Sequence, residues 1–284
     1  SRGISSVLFK EKKYIMSLVT TDWLEKNLTK VKIFDATWHM PSSKRDAKKE
    51  YYEKHIEGAI FWDVDEHSDK DTSYPHMMSN SEYWTKMLTD FGIQNNDHIV
   101  TYDNSDLYSS CRLWFALKYF GHEKVSVLDG GMKKWLKENR ITSNQIYKID
   151  PIKNYIINEK KELIKNKNQI DENIKKMSFQ TVDARSRDRF EGKVEEPRPG
   201  LKKGCIIGSK NIPFQECIDI KSNTFKTKSE LLNIFKNNNV DTTRPVVFTC
   251  GSGITACVLG MAYSLISDKN AVIYDGSWSE YGKK

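Results

Sequence analysis

Val246-Val247-Phe248-Thr249 leads without a break into Cys250-Gly251-Ser252-Gly253-Ile254-Thr255, and that loop leads into Ala256-Cys257-Val258-Leu259-Gly260-Met261. A short, continuously apolar run is what a strand buried on both faces presents. The apolar segment after the loop is long enough for a helix. In open α/β sheets, ligands bind just beyond the carboxyl ends of the strands, where helix N-termini turn their free amides outward. Cys250 stands at that place. Gly251 and Gly253 let the backbone curl so that successive amides face the sulfur, and the helix dipole favours negative charge there. A thiolate or persulfide anion is what such a nest stabilises. An arbitrary cysteine followed by a glycine-rich turn would more often be a packing residue. The strand–loop–helix placement makes Cys250 a reactive nucleophile instead.

The same pattern occurs earlier in the chain. At a separation close to 148 residues, as from Asp35 to Asp183, the two halves match landmark by landmark. Ile33-Phe34-Asp35-Ala36 corresponds to Thr181-Val182-Asp183-Ala184, and Ile56-Glu57-Gly58-Ala59 to Ile206-Ile207-Gly208-Ser209. Ser79-x-x-Glu82 and Thr227-x-x-Glu230 read as capping boxes, in which hydroxyl and carboxylate reciprocally satisfy the amides that open a helix. Ile99-Val100-Thr101-Tyr102 corresponds to the run before Cys250, and Ser126-Val127-Leu128-Asp129-Gly130-Gly131 to Val272-Ile273-Tyr274-Asp275-Gly276-Ser277. Strands alternating with helices at this spacing predict an α/β fold of two tandem domains, each a mostly parallel sheet flanked by helices.

The expected domains are 17–140 and 178–284, joined by a linker over 141–177 that is rich in Lys, Asn, Ile and Glu and able to carry a helix. Residues 1–16 read as a leader, with Met16 a plausible start. At the position of Cys250 the first half carries Asp103, which cannot hold sulfur. One half is therefore expected to be catalytic and the other structural.

With 284 residues, 38% hydrophobic and 29% charged, each half can bury a core of its own. The net charge of +7 is spread along the chain and accompanied by acids, which points away from a nucleic-acid partner and toward small anions. Five cysteines, an odd number without CxxC spacing, suggest neither a disulfide framework nor a zinc site, so no metal or cofactor is expected and a reducing, cytoplasmic compartment fits. Cys111, Cys205, Cys217 and Cys257 read as packing residues. No run of about eighteen apolar residues exists to span a membrane.

The chain from about 17 to 284 resembles the tandem-domain rhodanese family, and Cys250-Gly251-Ser252-Gly253-Ile254-Thr255-Ala256-Cys257 resembles the loop of its 3-mercaptopyruvate sulfurtransferase branch. Asp183-Ala184-Arg185-Ser186, Arg189-Phe190-x-Gly192, Glu196-Pro197-Arg198-Pro199-Gly200, Asp129-Gly130-Gly131 and Tyr74-Pro75-His76-Met77 carry the same likeness. The resemblance implies a sulfurtransferase that forms a persulfide on Cys250. The thiosulfate branch places cations in the loop, whereas Gly251 and Ser252 are neutral, which implies 3-mercaptopyruvate as donor and thiosulfate as the nearest alternative. Arg189 and Arg198 are the implied substrate-binding cations. Gly251, Gly253, Ile254 and Thr255 line the implied substrate loop. Ser252, His76 and Asp63 are the implied Ser/His/Asp relay, the last two supplied by the first domain. The acceptor would be cyanide or a thiol, such as thioredoxin or a small thiol.

Two rivals are weaker. A Cys-x5-Arg phosphatase needs an arginine where this chain has Ala256, and a noncatalytic binding module on the same fold would be expected to have lost Cys250.

Overall fold

The computed structural model describes residues 16–284, so the expected leader lies, but for Met16, outside the described residues. In chain order the strands of the first half are β1 (Leu18–Val19), β2 (Lys32–Asp35), β3 (His55–Ile56), β4 (Ile60–Phe61), β5 (Ile99–Tyr102), β6 (Val125–Leu128) and β7 (Thr142–Ser143). Those of the second half are β8 (Ile164–Lys165), β9 (Gln180–Asp183), β10 (Lys210–Asn211), β11 (Val246–Thr249) and β12 (Val272–Tyr274).

Two five-stranded sheets form, in the orders β1-β6-β5-β2-β4 and β8-β12-β11-β9-β10. Every pairing within them is parallel. Strand for strand the second order repeats the first, so the duplication visible in the sequence is also a duplication of topology. The central strands β5 and β11 are buried along their whole length, as their uninterrupted apolar runs require. Gly58 and Gly208 close the same turn in each half at φ of +80° and +77°. In each, the next amide bonds back to the isoleucine carbonyl, Ala59 to Ile56 and Ser209 to Ile206.

The interval expected as linker contributes more than a connection. Its first residues pair β7 antiparallel with β3 of the first domain. Its last part supplies β8, the edge strand beside β12, and the helix Lys167–Lys176. The second sheet thus starts inside the 141–177 interval, because a two-residue edge strand is too short to show periodicity.

The capping expectations divide. Thr227 and Glu230 form the reciprocal box that opens the helix Lys228–Asn237. At the equivalent place Asn80, not Ser79, caps the helix Ser81–Asp90, its side chain accepting from the Tyr83 amide. Ser79 instead donates to the His67 carbonyl. Ser and Asn are comparable caps, so adjacent residues leave the helix start ambiguous by one position.

The domains meet through the helices Ser110–Tyr119 and Ala256–Ile266, which pack against each other. Both follow the central strand of their sheet, and both are apolar on nearly every side. One apolar cluster runs across the junction, including Trp114 and Phe115 from one helix and Val258 and Met261 from the other. Among the described residues no helix is long and apolar enough to cross a membrane. All five cysteines are free.

One buried acid weakens the first domain at high pH. Asp35, at the end of β2, is 4% exposed and accepts from the Thr37 amide and hydroxyl at 3.0 and 2.5 Å. Burial pushes its carboxyl up to about 6, against the help of those bonds. A carboxyl raised on folding takes up a proton between its unfolded value and about 6, so stability falls as pH rises through that window. Asp35→Asn keeps an acceptor for Thr37 and removes the charge. We expect it to raise Tm at pH 8, by up to about 3 kcal/mol of stability, with the gain shrinking toward pH 4. A gain that does not vary with pH in thermal melts would contradict this.

Candidate active site

Cys250 follows β11 directly and is 2% exposed. Its backbone is tied on both sides: its amide donates to Ser277 Oγ at 3.1 Å, and its carbonyl accepts from the Trp278 amide at 2.9 Å. The Gly251 carbonyl accepts from the Ser279 amide at 2.9 Å and from its hydroxyl at 2.6 Å. The curl of the loop brings one amide, that of Gly253, to the sulfur, with N···Sγ 3.1 Å. Gly253 has φ +87°, and a Cβ there would sit 3.2 Å from both the Asp275 carbonyl and a nitrogen of Arg112. The turn that aims an amide at Sγ therefore needs glycine. Ile254 is buried in the same apolar cluster as Cys250. Thr255 opens the helix Ala256–Ile266 without a side-chain cap bond.

Ser252 is 5% exposed, and its hydroxyl lies 2.8 Å from His76 Nδ1, across the domain junction. His76 Nε2 lies 2.9 Å from Asp65 Oδ1. The partners fix the tautomer: the carboxylate takes the Nε2 proton, leaving Nδ1 to accept from Ser252. The acid in this chain is thus Asp65, not Asp63. Asp63 is the N-cap of the helix Val64–His67, and its carboxylate accepts from the Asp65 amide at 2.8 Å, while Asp65, one turn-start later, points to the imidazole. The other oxygen of Asp65 takes the Trp38 indole N–H at 2.8 Å, and the Trp38 ring stands edge-on to His76. The bond from His76 holds the Asp65 carboxyl below the usual range. His76 is also held below its ordinary value, because burial outweighs the neighbouring carboxylate and the Arg198 and Arg112 charges add to the effect. The His76 imidazole is therefore biased toward its neutral form.

Two cations cover the mouth of the loop. A Cβ on Gly251 would lie 3.1 Å from Arg189 Nη2 and 3.6 Å from Arg198 Nη1. Arg189 is paired with Glu196 at 2.6 Å, and Arg185 takes the same carboxylate at 2.7 Å. Burial alone would raise the Glu196 carboxyl, but Arg189 and Arg185 together hold it down. Arg185 also grips Asp183 and stacks on Trp278 at 4.7 Å, which fixes the base of this loop. Among the described residues Arg198 has no carboxylate within ion-pair distance, and its Nη2 lies 3.4 Å from Ser252 Oγ. Burial lowers its pKa, as expected of a cation without a counter-ion.

The four other thiols are Cys111, Cys205, Cys217 and Cys257. Burial pushes Cys217 and Cys257 up to about 12 and raises Cys111 and Cys205 as well. Asp103, the counterpart of Cys250, accepts from the Ser105 and Ser110 amides at 3.0 and 2.9 Å. The first domain's loop is thereby closed by a carboxylate where the second presents sulfur.

A family model described as rhodanese-like domain matches twice, at residues 20–138 and 166–284. The chain belongs to the rhodanese-like family. Mouse 3-mercaptopyruvate sulfurtransferase is 38% identical over 273 residues, covering 93% of this chain and 91% of that protein. Rat thiosulfate sulfurtransferase is 35% identical over 277 residues, covering 94% and 92%. A crystal structure of SseA from Escherichia coli, described as a 3-mercaptopyruvate sulfotransferase, superposes with a TM-score of 0.83 at 30% identity, covering 93% of this chain and 100% of that one. Overall identity scarcely separates the two donor types, so the choice between them falls to the loop.

Glycine at 253 can be tested directly. Gly253→Ala would force a left-handed alanine against the Asp275 carbonyl, and we expect a stability loss of about 1–2 kcal/mol in denaturant melts and slower alkylation of Cys250 by iodoacetamide. Unchanged stability together with unchanged alkylation would show that the Gly253 amide does not set the sulfur's surroundings.

Proposed function

We propose that this protein is a sulfurtransferase that takes sulfane sulfur from 3-mercaptopyruvate onto Cys250, releases pyruvate, and passes the sulfur to a thiol or to cyanide. The observation that carries this reading is the Ser252–His76–Asp65 chain beside Cys250, in a loop whose Gly251 and Ser252 are uncharged. Thiosulfate gives up its outer sulfur and leaves as sulfite, with no proton to move to carbon. 3-Mercaptopyruvate must lose a proton from its thiol and gain one at carbon, and only that donor needs a relay.

The step balances without an external oxidant. The Cys250 thiolate attacks the donor sulfur, an S–S bond forms and the C–S bond breaks, and the electron pair leaves with the carbon as the enolate of pyruvate. The thiol proton passes by way of Ser252 and His76 and returns to the enolate carbon, so the products are pyruvate and a Cys250 persulfide anion. Arg198, lacking a carboxylate partner, is free to fork onto the substrate carboxylate. Arg189, half-neutralised by Glu196, lies beside it. The Gly253 amide donates to whichever sulfur anion Cys250 bears. An acceptor then removes the outer sulfur; with Cys250 nearly closed off, a small thiol or a narrow exposed cysteine loop such as that of thioredoxin fits best. The free cysteines suit a reducing setting such as the cytoplasm.

Intact mass after donor treatment should show one added sulfur atom, absent in Cys250→Ser, and kcat/KM should favour 3-mercaptopyruvate over thiosulfate with cyanide or a dithiol as acceptor. A ratio favouring thiosulfate would overturn the donor.

Asp65→Asn, which disturbs the His76 tautomer, should lower kcat with 3-mercaptopyruvate about a hundredfold, whereas Asp63→Asn, which keeps the helix cap, should change it less than about twofold. Equal effects would remove Asp65 from the relay. The acid limb of the wild-type kcat profile should lie below the ordinary histidine value, because His76 must be neutral to accept a proton.

A further inference from the structure

The helix Ser110–Tyr119 buries one charged side chain at the junction. Arg112 is 2% exposed. Its Nη2 donates to the His76 carbonyl and to Asp275 Oδ1, each at 2.6 Å, and its Nη1 donates to the Gly253 carbonyl at 3.3 Å. We propose that Arg112 is a positioning residue for sulfur transfer, one guanidinium that sets His76 of the first domain and the Cys250 loop of the second in register. The proposal rests on the relay reading above and adds the group that aligns it.

Three observations support this. First, both backbone acceptors belong to residues held in left-handed conformations, His76 at φ +61° and Gly253 at +87°. A non-glycine residue at such a φ persists only where its surroundings over-determine it. The Arg112 bond to the His76 carbonyl is one such restraint.

Second, the Gly253 peptide is held at both ends: its N–H points to Cys250 Sγ and its C=O to Arg112, with the Cys257 thiol donating to the same carbonyl at 3.2 Å. Turning that carbonyl would also turn the residue whose amide reaches the sulfur.

Third, the duplication supplies an internal comparison. Asp129 accepts the Phe225 amide at 2.9 Å just as Asp275 accepts the Met78 amide at 2.7 Å. The helix position equivalent to Arg112 lies within the apolar run Val258-Leu259, so the facing helix sends no guanidinium to the silent loop; Arg45, which donates to the Asn104 carbonyl at 3.2 Å, comes from the same domain and is partly exposed. A cation needed only to join two domains would not have to sit on the catalytic side. The cation that crosses the junction to a nucleophile-position loop sits there fully buried, with a buried carboxylate as its counter-ion.

The test is a double-mutant cycle on the full chain, with 3-mercaptopyruvate as donor and dithiothreitol as acceptor. Arg112→Lys keeps the charge and loses the planar fork. We expect kcat to fall at least about tenfold, as small misalignments of reacting groups do, with KM changed less than about threefold. In a Ser252→Ala background the same substitution should cost under about threefold, because the alignment it disturbs is already unused. Independent, multiplicative losses in the two backgrounds, or an unchanged kcat in Arg112→Lys, would overturn the role of Arg112 while leaving the relay intact. An unchanged kcat in Ser252→Ala alone would remove the relay itself and this role with it. If Arg112→Lys does not fold, Asp275→Asn, which keeps an acceptor for the Met78 amide and frees Nη2, goes through the same cycle under the same criteria.

Discussion

The carboxylate of Asp275 is the constraint on which the arrangement of the site depends. It closes β12, is buried, and receives two donors from the other domain: the Met78 amide and the Arg112 guanidinium. A buried carboxylate in a medium of low polarizability is expensive unless its hydrogen bonds are complete, so the segment carrying His76 and Met78 has little freedom to drift from β12. The residues just after Asp275 hold the Cys250 loop by its own backbone through Ser277, Trp278 and Ser279. Nucleophile and relay are thereby referred to one strand end, although they come from different domains.

The duplication shows which parts of this framework are architecture and which are chemistry. Both halves tie the carbonyl after the central strand to an amide just beyond the last strand, Cys250 to Trp278 and Asp103 to Met132, at 2.9 Å in each case. Both exchange an amide for a carboxylate across the junction. These shared bonds build the two-domain body. Sulfur at 250, the Ser252–His76–Asp65 chain and the buried guanidinium behind Gly253 occur on one side only, and the proposed reaction draws on them.

Much of this was legible in the sequence, because the informative residues are those whose surroundings leave little choice. Strands buried on both faces and the Asp-Gly stops needed no tertiary context and point to the parallel sheets, and the Cys250 loop shows its place after a central strand in the same way. The short edge strand β8 was invisible, since two residues show no period. Asp63 and Asp65 are hard to tell apart in the sequence because one caps a helix and the other lies just inside it, and only the direction of the first helical turn shows which carboxylate meets His76. Ser79 and Asn80 posed the same ambiguity. Arg112 left a signal that sequence reading passed over: a single full charge inside Ser110-Cys111-Arg112-Leu113-Trp114-Phe115, a segment otherwise suited to burial. A lone charge there implies a partner, but the partner is 163 residues away in the chain.

His76 has a counterpart in the second domain, Asn223, which faces the silent loop of the first, stands at the same distance before the following helix and is held at nearly the same φ, +63° against +61°. Asparagine is among the residues that enter this conformation most readily, while histidine does so at some strain. The chain therefore carries its own reference state: one copy of the turn keeps the residue that the backbone prefers, and the other keeps the residue that a proton requires. The difference between the two copies measures how much conformational ease was given up to bring an imidazole to the sulfur.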